Sequence, residues 1–328
     1  MTVPLNRLYM AARDLVRTPW RLLLNRVDAP VLVLVYHRVA ALARDPEMLA
    51  VTPENFRDQM RHLKENHPLV RFEDDWGPRL KPAVCVTFDD GYADNLLQAL
   101  PILEEVGVPA TFFVSTGAVG AGDGFWWDRL GEIVFGRGEL PAGFTLDDGR
   151  SETRWPTATV GQKERFYRDM VAIFKGAAAG ERSRLLCRLG SWAGDGAAGA
   201  DPHRALTVDE LRTLARSSWV TVGAHTVSHC RLSALPAAAQ KEEIARSKRE
   251  LETWLGREIT VFSYPYGRRG DYTGESVALC RESGFARAAA NFAGQAHRWT
   301  DPYQIPRHLV RDWPVRLFAE RLKGFWTR

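Results

Sequence analysis

Apolar residues in this chain gather into runs of two kinds, and their alternation gives the first reading of the architecture. Val31–Tyr36 (VLVLVY) and Ala83–Phe88 (AVCVTF) are continuous, rich in β-branched residues and six residues long, as expected of strands buried on both faces. Between them, Thr52, Pro53 and Glu54 supply an N-cap and a proline at the first helical position. Phe56, Met60 and Leu63 then follow at helical spacing. A helix over 93–106 and a strand over 110–115 continue the rhythm. Further on, a capping box from Thr207 to Glu210 opens a helix. After it come a strand over 219–224, a charged helix over Ala237–Leu255, a strand over 259–263, a helix over 275–282 and strand candidates at 285–290 and 305–310. This alternation predicts an α/β fold with mostly parallel strands, and about seven strand–helix units favour a barrel over an open sheet.

The rhythm breaks between about 120 and 205. That stretch holds Phe125-Trp126-Trp127-Asp128, glycine-rich turns, an expected helix near 162–175 and a small-residue tract over 193–200. Because the alternation resumes afterwards, these roughly 80 residues are expected to be an insertion within one domain spanning 31–328.

Of the 328 residues, 45% are hydrophobic and 26% charged, which excludes wholesale disorder. The 44 basic and 40 acidic residues leave a charge of only +4 with no block of like charge, so a nucleic-acid partner is not expected. Cys85, Cys187, Cys230 and Cys280 form no CxxC pair; free thiols in a reducing compartment are the expectation. In residues 1–30, Arg7, Arg13, Arg17, Arg21 and Arg26 alternate with Leu5, Leu8, Leu15, Val16, Trp20 and Leu23. This basic amphipathic segment is expected to lie along the outside of the fold, with an anionic membrane face as the second reading. Arg21 and Arg26 interrupt Leu22–Leu24, so no signal-peptide core forms, and no run of about 18 apolar residues could span a bilayer. A cytoplasmic protein is therefore expected, with peripheral contact at the inner membrane face as the alternative.

Three polar groups fall at the C-terminal ends of expected strands, where α/β folds place their sites. Asp89 and Asp90 end the second strand, and two adjacent carboxylates there need a cation or a proton to offset their charge. His225 and His229, four apart, are expected on one face of a helical turn, able to chelate one metal. Pro265-Tyr266-Gly267 follows the strand ending at Ser263 and reads alone as a turn. Together, Asp90, His225 and His229 supply an O, N, N ligand set with positions open for water and substrate, leaving Asp89 free to take a proton. Cys230 is expected to point away from the site.

In these residues the chain resembles the polysaccharide deacetylases of the NodB-homology group, carbohydrate esterase family 4. TFDDG at 87–91, HTVSH at 225–229 and PYG at 265–267 are similar to that family's three motifs. The resemblance spans about 31–310 outside the insertion. It implies a distorted (β/α)7-type barrel and one divalent metal held by Asp90, His225 and His229, with Asp89 as general base. Zinc is the default metal; cobalt, nickel and manganese suit the same donors. The implied reaction is hydrolysis of an N-acetyl, less often O-acetyl, group on a sugar, releasing acetate. The backbone N–H of Tyr266, beside Pro265, would help hold the oxyanion. The family usually carries an arginine shortly before that proline, where this chain has Ser263 and Tyr264, and Arg307 is the candidate replacement. For the general acid, His37, in a Tyr-His that resembles the end of the first strand in a permuted branch of the family, is preferred to His308. Trp126, Trp127 and Asp128 are read two ways, as a sugar platform or as the anchor that docks the insertion. The expected partner is an acetylated carbohydrate, such as a nucleotide sugar, a lipid-linked saccharide or a nascent polysaccharide. The competing function is a catalytically silent carbohydrate-binding protein of the same fold in polysaccharide assembly.

Overall fold

Strands flanked by helices on one side and a closed interior on the other must be apolar on both faces, and the computed structural model shows how these runs meet that demand. It describes residue 25 and residues 27–122, 124–136, 139–147, 151–194 and 203–326, so the basic segment expected over 1–30 lies almost wholly outside the described residues. The first half comprises β1 (Val31–Tyr36), β2 (Arg38–Val39), β3 (Ala50–Val51), α1 (Pro53–Asn66), β4 (Ala83–Phe88), α2 (Leu100–Val106) and β5 (Ala110–Val114). The insertion adds α3 (Trp126–Phe135), the antiparallel hairpin β6 (Gly143–Asp147) and β7 (Glu152–Pro156), α4 (Val160–Gly176) and α5 (Ala179–Ala193). The barrel then resumes with α6 (Val208–Arg216), β8 (Val220–Ala224), α7 (Ala237–Leu255), β9 (Val261–Ser263), α8 (Gly274–Glu282), β10 (Arg287–Ala289), β11 (His308–Leu309) and α9 (Val315–Phe325).

Seven parallel strands run in the order β10-β9-β8-β5-β4-β1-β11. The segment leading into β11 reaches back to the opposite edge. Ile305 donates to Ala288 at 3.0 Å and accepts from Ala290 at 2.8 Å, while Leu309 pairs with Val35 of β1. One segment thus touches both ends of the sheet and curls it into a distorted barrel.

Alternation along the strands sorts side chains between two cores. Val31 and Val33 of β1, Ala83 and Cys85 of β4, Phe113, Val261, Ala289 and Ile305 join Phe72 and Trp76 in one interior cluster. Their neighbours Leu32, Leu34, Tyr36, Val84, Val86 and Phe88 enter the outer core beneath the helices. The helix expected over 93–106 begins as a π-turn, Asn95–Ala99, and α2 restarts with Pro101 in its first turn, where the missing N–H costs nothing. The insertion builds a third cluster around Phe144, Trp155, Phe166 and Phe174. Tyr92 and Ala205 from the barrel join it.

Candidate metal centre and its surroundings

The site stands at the C-terminal ends of β1, β4, β8 and β9, and its backbone is strained there. Among the described residues, the non-glycine positions with positive φ are Met48, Asp90 (78°), Thr226 (62°), His229 (49°) and Tyr266 (60°). All but Met48 lie in the three motifs. Each costs on the order of 1–3 kcal/mol, so the surrounding structure must impose it. After Asp90, Gly91 continues at φ 94°, where an added Cβ would stand 3.0 Å from Val114. The helical turn expected at 225–229 is instead an irregular bend, and the two left-handed residues make the histidines converge. Glu243 of α7 ties this bend from beneath, accepting from the N–H groups of Val227 (2.9 Å) and Ser228 (2.8 Å) and from the Ser228 hydroxyl (2.8 Å).

Asp90 Oδ1 lies 3.6 Å from His225 Nε2 and 3.2 Å from His229 Nε2. All three residues are buried, their ligand atoms fall within 4.8 Å of one another, and Asp90 Oδ1 has no hydrogen-bond partner. His225 donates from Nδ1 to the Ser263 carbonyl at 2.7 Å, which leaves the Nε2 lone pair aimed at Asp90. Burial pushes His225 down to about 4 and His229 down to about 3, so both imidazoles are neutral as a metal requires. A buried carboxylate oxygen without a donor, facing two neutral imidazole nitrogens, is a donor set that fits one divalent cation. Cys230 is buried, outside the set, with its thiol pushed up to about 12 chiefly by burial.

Asp89 stands beside this set, its Oδ2 4.0 Å from His225 Nε2, with both its oxygens taken by Arg307. Burial would raise its pKa, but the Arg307 guanidinium, by charge and hydrogen bonding, holds it well below the usual carboxylate range. Arg307 donates to Asp89 Oδ1 at 2.7 Å and Oδ2 at 2.6 Å, to Thr87 Oγ1 at 3.2 Å and to the Ala290 carbonyl at 2.8 Å. It also donates to Ser263 Oγ at 2.8 Å. Ser263, standing where the family pattern carries arginine, thus supports the guanidinium that comes from elsewhere in the chain.

His37 follows β1, is partly exposed and has no partner for Nδ1. Burial lowers its pKa against the opposing charges of Asp90 and Asp89, which places it in the field of both carboxylates. His308 is not part of this site. It stands in register with outward-facing Leu34, donates to the Gly294 carbonyl at 3.0 Å and stacks on Phe325 of α9 at 4.2 Å. Tyr266 sets its ring edge-on to His229 at 4.8 Å, and Pro265 precedes it in a tight turn closed from Gly267 N–H to the Pro265 carbonyl.

The tryptophans are spent on packing. Trp126 stacks on Phe174 at 5.1 Å and lines the cavity beside His229, and Trp127 lies between Phe125 (4.7 Å) and His229 (4.7 Å). Trp127 donates to the Tyr92 hydroxyl at 2.7 Å, which donates to Asp128 at 2.6 Å. Asp128 faces Arg38, buried behind the site, which pairs with Asp94 at 2.9 Å and lies 4.2 Å over the Tyr92 ring. This knot was not foreseen, because its members are scattered from Arg38 to His203. Beside His229, a cavity of about 1130 Å³ opens between barrel loops and insertion, bounded by Gly117, Phe125, Arg129, Arg182 and Leu186.

A distorted parallel barrel thus brings a carboxylate and two imidazoles together at its strand ends, with a second carboxylate held ionised beside them. The chain belongs to the polysaccharide deacetylase family, whose pattern it matches over residues 77–286. A protein of Bacillus subtilis (strain 168) named as a polysaccharide deacetylase, YxkH, is 21% identical over 290 residues, covering 86% of this chain and 71% of the relative. Among solved structures, the Streptococcus pyogenes deacetylase PplD in complex with acetate superposes with a TM-score of 0.57 at 16% identity, covering 89% of this chain and 98% of that one. IcaB from Ammonifex degensii gives 0.58 at 18% identity, covering 91% and 97%. These likenesses show the fold, and the family makes the chain a sugar deacetylase. Among the described residues no helix is long and apolar enough to cross a membrane.

Proposed function

We propose that this protein is a divalent-metal-dependent N-deacetylase acting on an acetylated saccharide, with zinc as its metal. The observation that carries the reading is the donorless, buried Asp90 Oδ1 between His225 and His229, with an ionised Asp89 beside it. When bound there, a divalent cation supplies Lewis acidity to the attacking water and to the acetyl carbonyl. Asp89, kept anionic and fixed in direction by two bonds from Arg307, takes the proton that the water gives up as it adds to the carbonyl carbon. The backbone N–H of Tyr266, set by a left-handed residue in a tight turn, stabilises the oxygen on which negative charge develops. His37, on the neighbouring strand end, protonates the departing sugar nitrogen. Burial favours its neutral form while the charges of Asp90 and Asp89 favour the imidazolium, and the proton it passes on is taken up from solvent. The cavity alongside His229 gives the rest of the saccharide a place to lie. The test is to strip the protein with chelator, titrate zinc back and follow acetate release from N-acetylglucosamine oligomers. Activity returning with one equivalent supports the reading, and activity indifferent to metal overturns it.

A further inference from the structure

Because the bend at 225–229 is strained at Thr226 and His229, something must hold it, and Glu243 ties down only its middle, at Val227 and Ser228. The part carrying His229 is held from the other side, by the insertion. Arg182, buried on α5, donates to the Ser228 carbonyl at 2.8 Å and to the His229 carbonyl at 3.2 Å. It does so along the wall of the large cavity, where α5 otherwise presents Ser183, Leu186, Cys187 and Gly190. Trp127 adds a second hold. Its ring rests 4.7 Å from the His229 imidazole, and its own orientation is fixed by the bond to Tyr92.

We infer that the insertion is a positioning device for the metal site, with Arg182 and Trp127 setting the orientation of His229. The inference rests on the metal-site reading above. The physical reasoning is that His229, unlike His225, has no hydrogen bond at Nδ1 to fix its ring. Its direction therefore depends on backbone strain and on what packs against it. Outer contacts that orient a ligand typically alter metal affinity by about 10–100-fold when removed. Arg182→Ala removes the donor to the Ser228 carbonyl and leaves the carbonyl of left-handed His229 only the 3.5 Å bond from the Tyr266 hydroxyl, and Trp127→Leu removes one of the two rings, with Tyr266, that flank the imidazole.

The experiment uses the full chain stripped of metal and titrated with cobalt(II), whose visible spectrum reports ligand geometry. Thermal melts of each apo-protein serve as the folding control. Arg182→Ala and Trp127→Leu are expected to weaken cobalt binding about tenfold or more and to alter the spectrum. Arg182→Lys, which retains a donor and the charge, should recover part of the affinity. Arg188→Ala, which removes a bond to the Thr145 carbonyl and a contact over the Phe144 ring, both within the insertion, should bind like the parent. If Arg182→Ala and Trp127→Leu, folded by their melts, bind with parental affinity and spectrum, the positioning role is overturned while the metal site stands. Should one of the two fail to fold, the other decides alone: parental affinity and spectrum in it overturn the positioning role. A parent that takes up no cobalt overturns both.

Discussion

Replacing Arg307 with alanine separates stability, base catalysis and metal binding more cleanly than any other single change. Arg307 is wholly buried, its partner Asp89 is 4% exposed on its side chain, and two charge-assisted bonds of 2.7 and 2.6 Å join them. Removing one member of such a pair strands a buried carboxylate, which costs about 3–5 kcal/mol. At roughly 2 °C per kcal/mol for a domain of this size, the melting temperature should fall by about 6–10 °C. Asp89 has an escape, since burial alone raises its pKa and the stranded carboxyl can take up a proton. That escape removes the base, so acetate release should fall by about 100-fold to 10,000-fold. Arg307 bonds to none of Asp90, His225 and His229 and reaches them only through Asp89 and Ser263, so the folded variant should still bind one equivalent of metal. Arg307→Lys, with one compact charge in place of a planar fork, should lie between the two. Steady-state acetate release, a metal titration and a thermal melt on the same preparations decide it. A fully active Arg307→Ala, or one that loses metal along with activity, would refute the reasoning.

Other outcomes follow from the same geometry. His37→Ala should lower turnover about 100-fold with metal affinity kept, while His308→Ala should cost only stability because its ring packs on Phe325; the opposite pattern would exchange their roles. Asp90→Asn should abolish stoichiometric metal uptake in a folded protein, and one equivalent bound with parental affinity would contradict the ligand set. In chelated protein, burial holds His225 at about 4 and His229 at about 3 against an ordinary 6.5. Between these values the unfolded chain takes up protons that the folded chain refuses. Stability is therefore full above about pH 6.5 and falls as pH drops, by up to about 1.4 kcal/mol per pH unit for each imidazole. A melting temperature unchanged between pH 7 and pH 4.5 would argue against two buried neutral histidines.

Much of the barrel could be read from the chain because buried parallel strands leave an unmistakable pattern. Val31–Tyr36 and Ala83–Phe88 are strands over the same residues in sequence and structure. The capping box at Thr207 does what its spacing predicts, with Glu210 returning a bond to the Thr207 N–H. The late strands were harder. β11 is only two residues long, because Ile305 bridges to β10 before the chain pairs with β1. The insertion was legible only at α4. Trp126 and Trp127 begin a helix and fill a core, which local pattern could not distinguish from a surface platform. At the site, the residue types pointed to the cluster of Asp90, His225 and His229, but the local conformation did not follow from spacing. The histidines meet through left-handed backbone at Thr226 and His229, in a bend that contacts Glu243, Arg182 and Trp127 from distant parts of the chain. The knot of Arg38, Asp94, Asp128 and Tyr92 was invisible for a related reason: its members come from opposite sides of the fold boundary between barrel and insertion.

The central claim is that acetate release depends on a metal held by Asp90, His225 and His229 and on Asp89 as base. It is tested most directly by measuring release from a panel of N-acetylated saccharides with metal-loaded parent, chelated parent and Asp89→Asn. The account predicts release by the loaded parent alone, with Asp89→Asn still binding one equivalent of metal. Release at the parental rate by the chelated protein or by Asp89→Asn would contradict it.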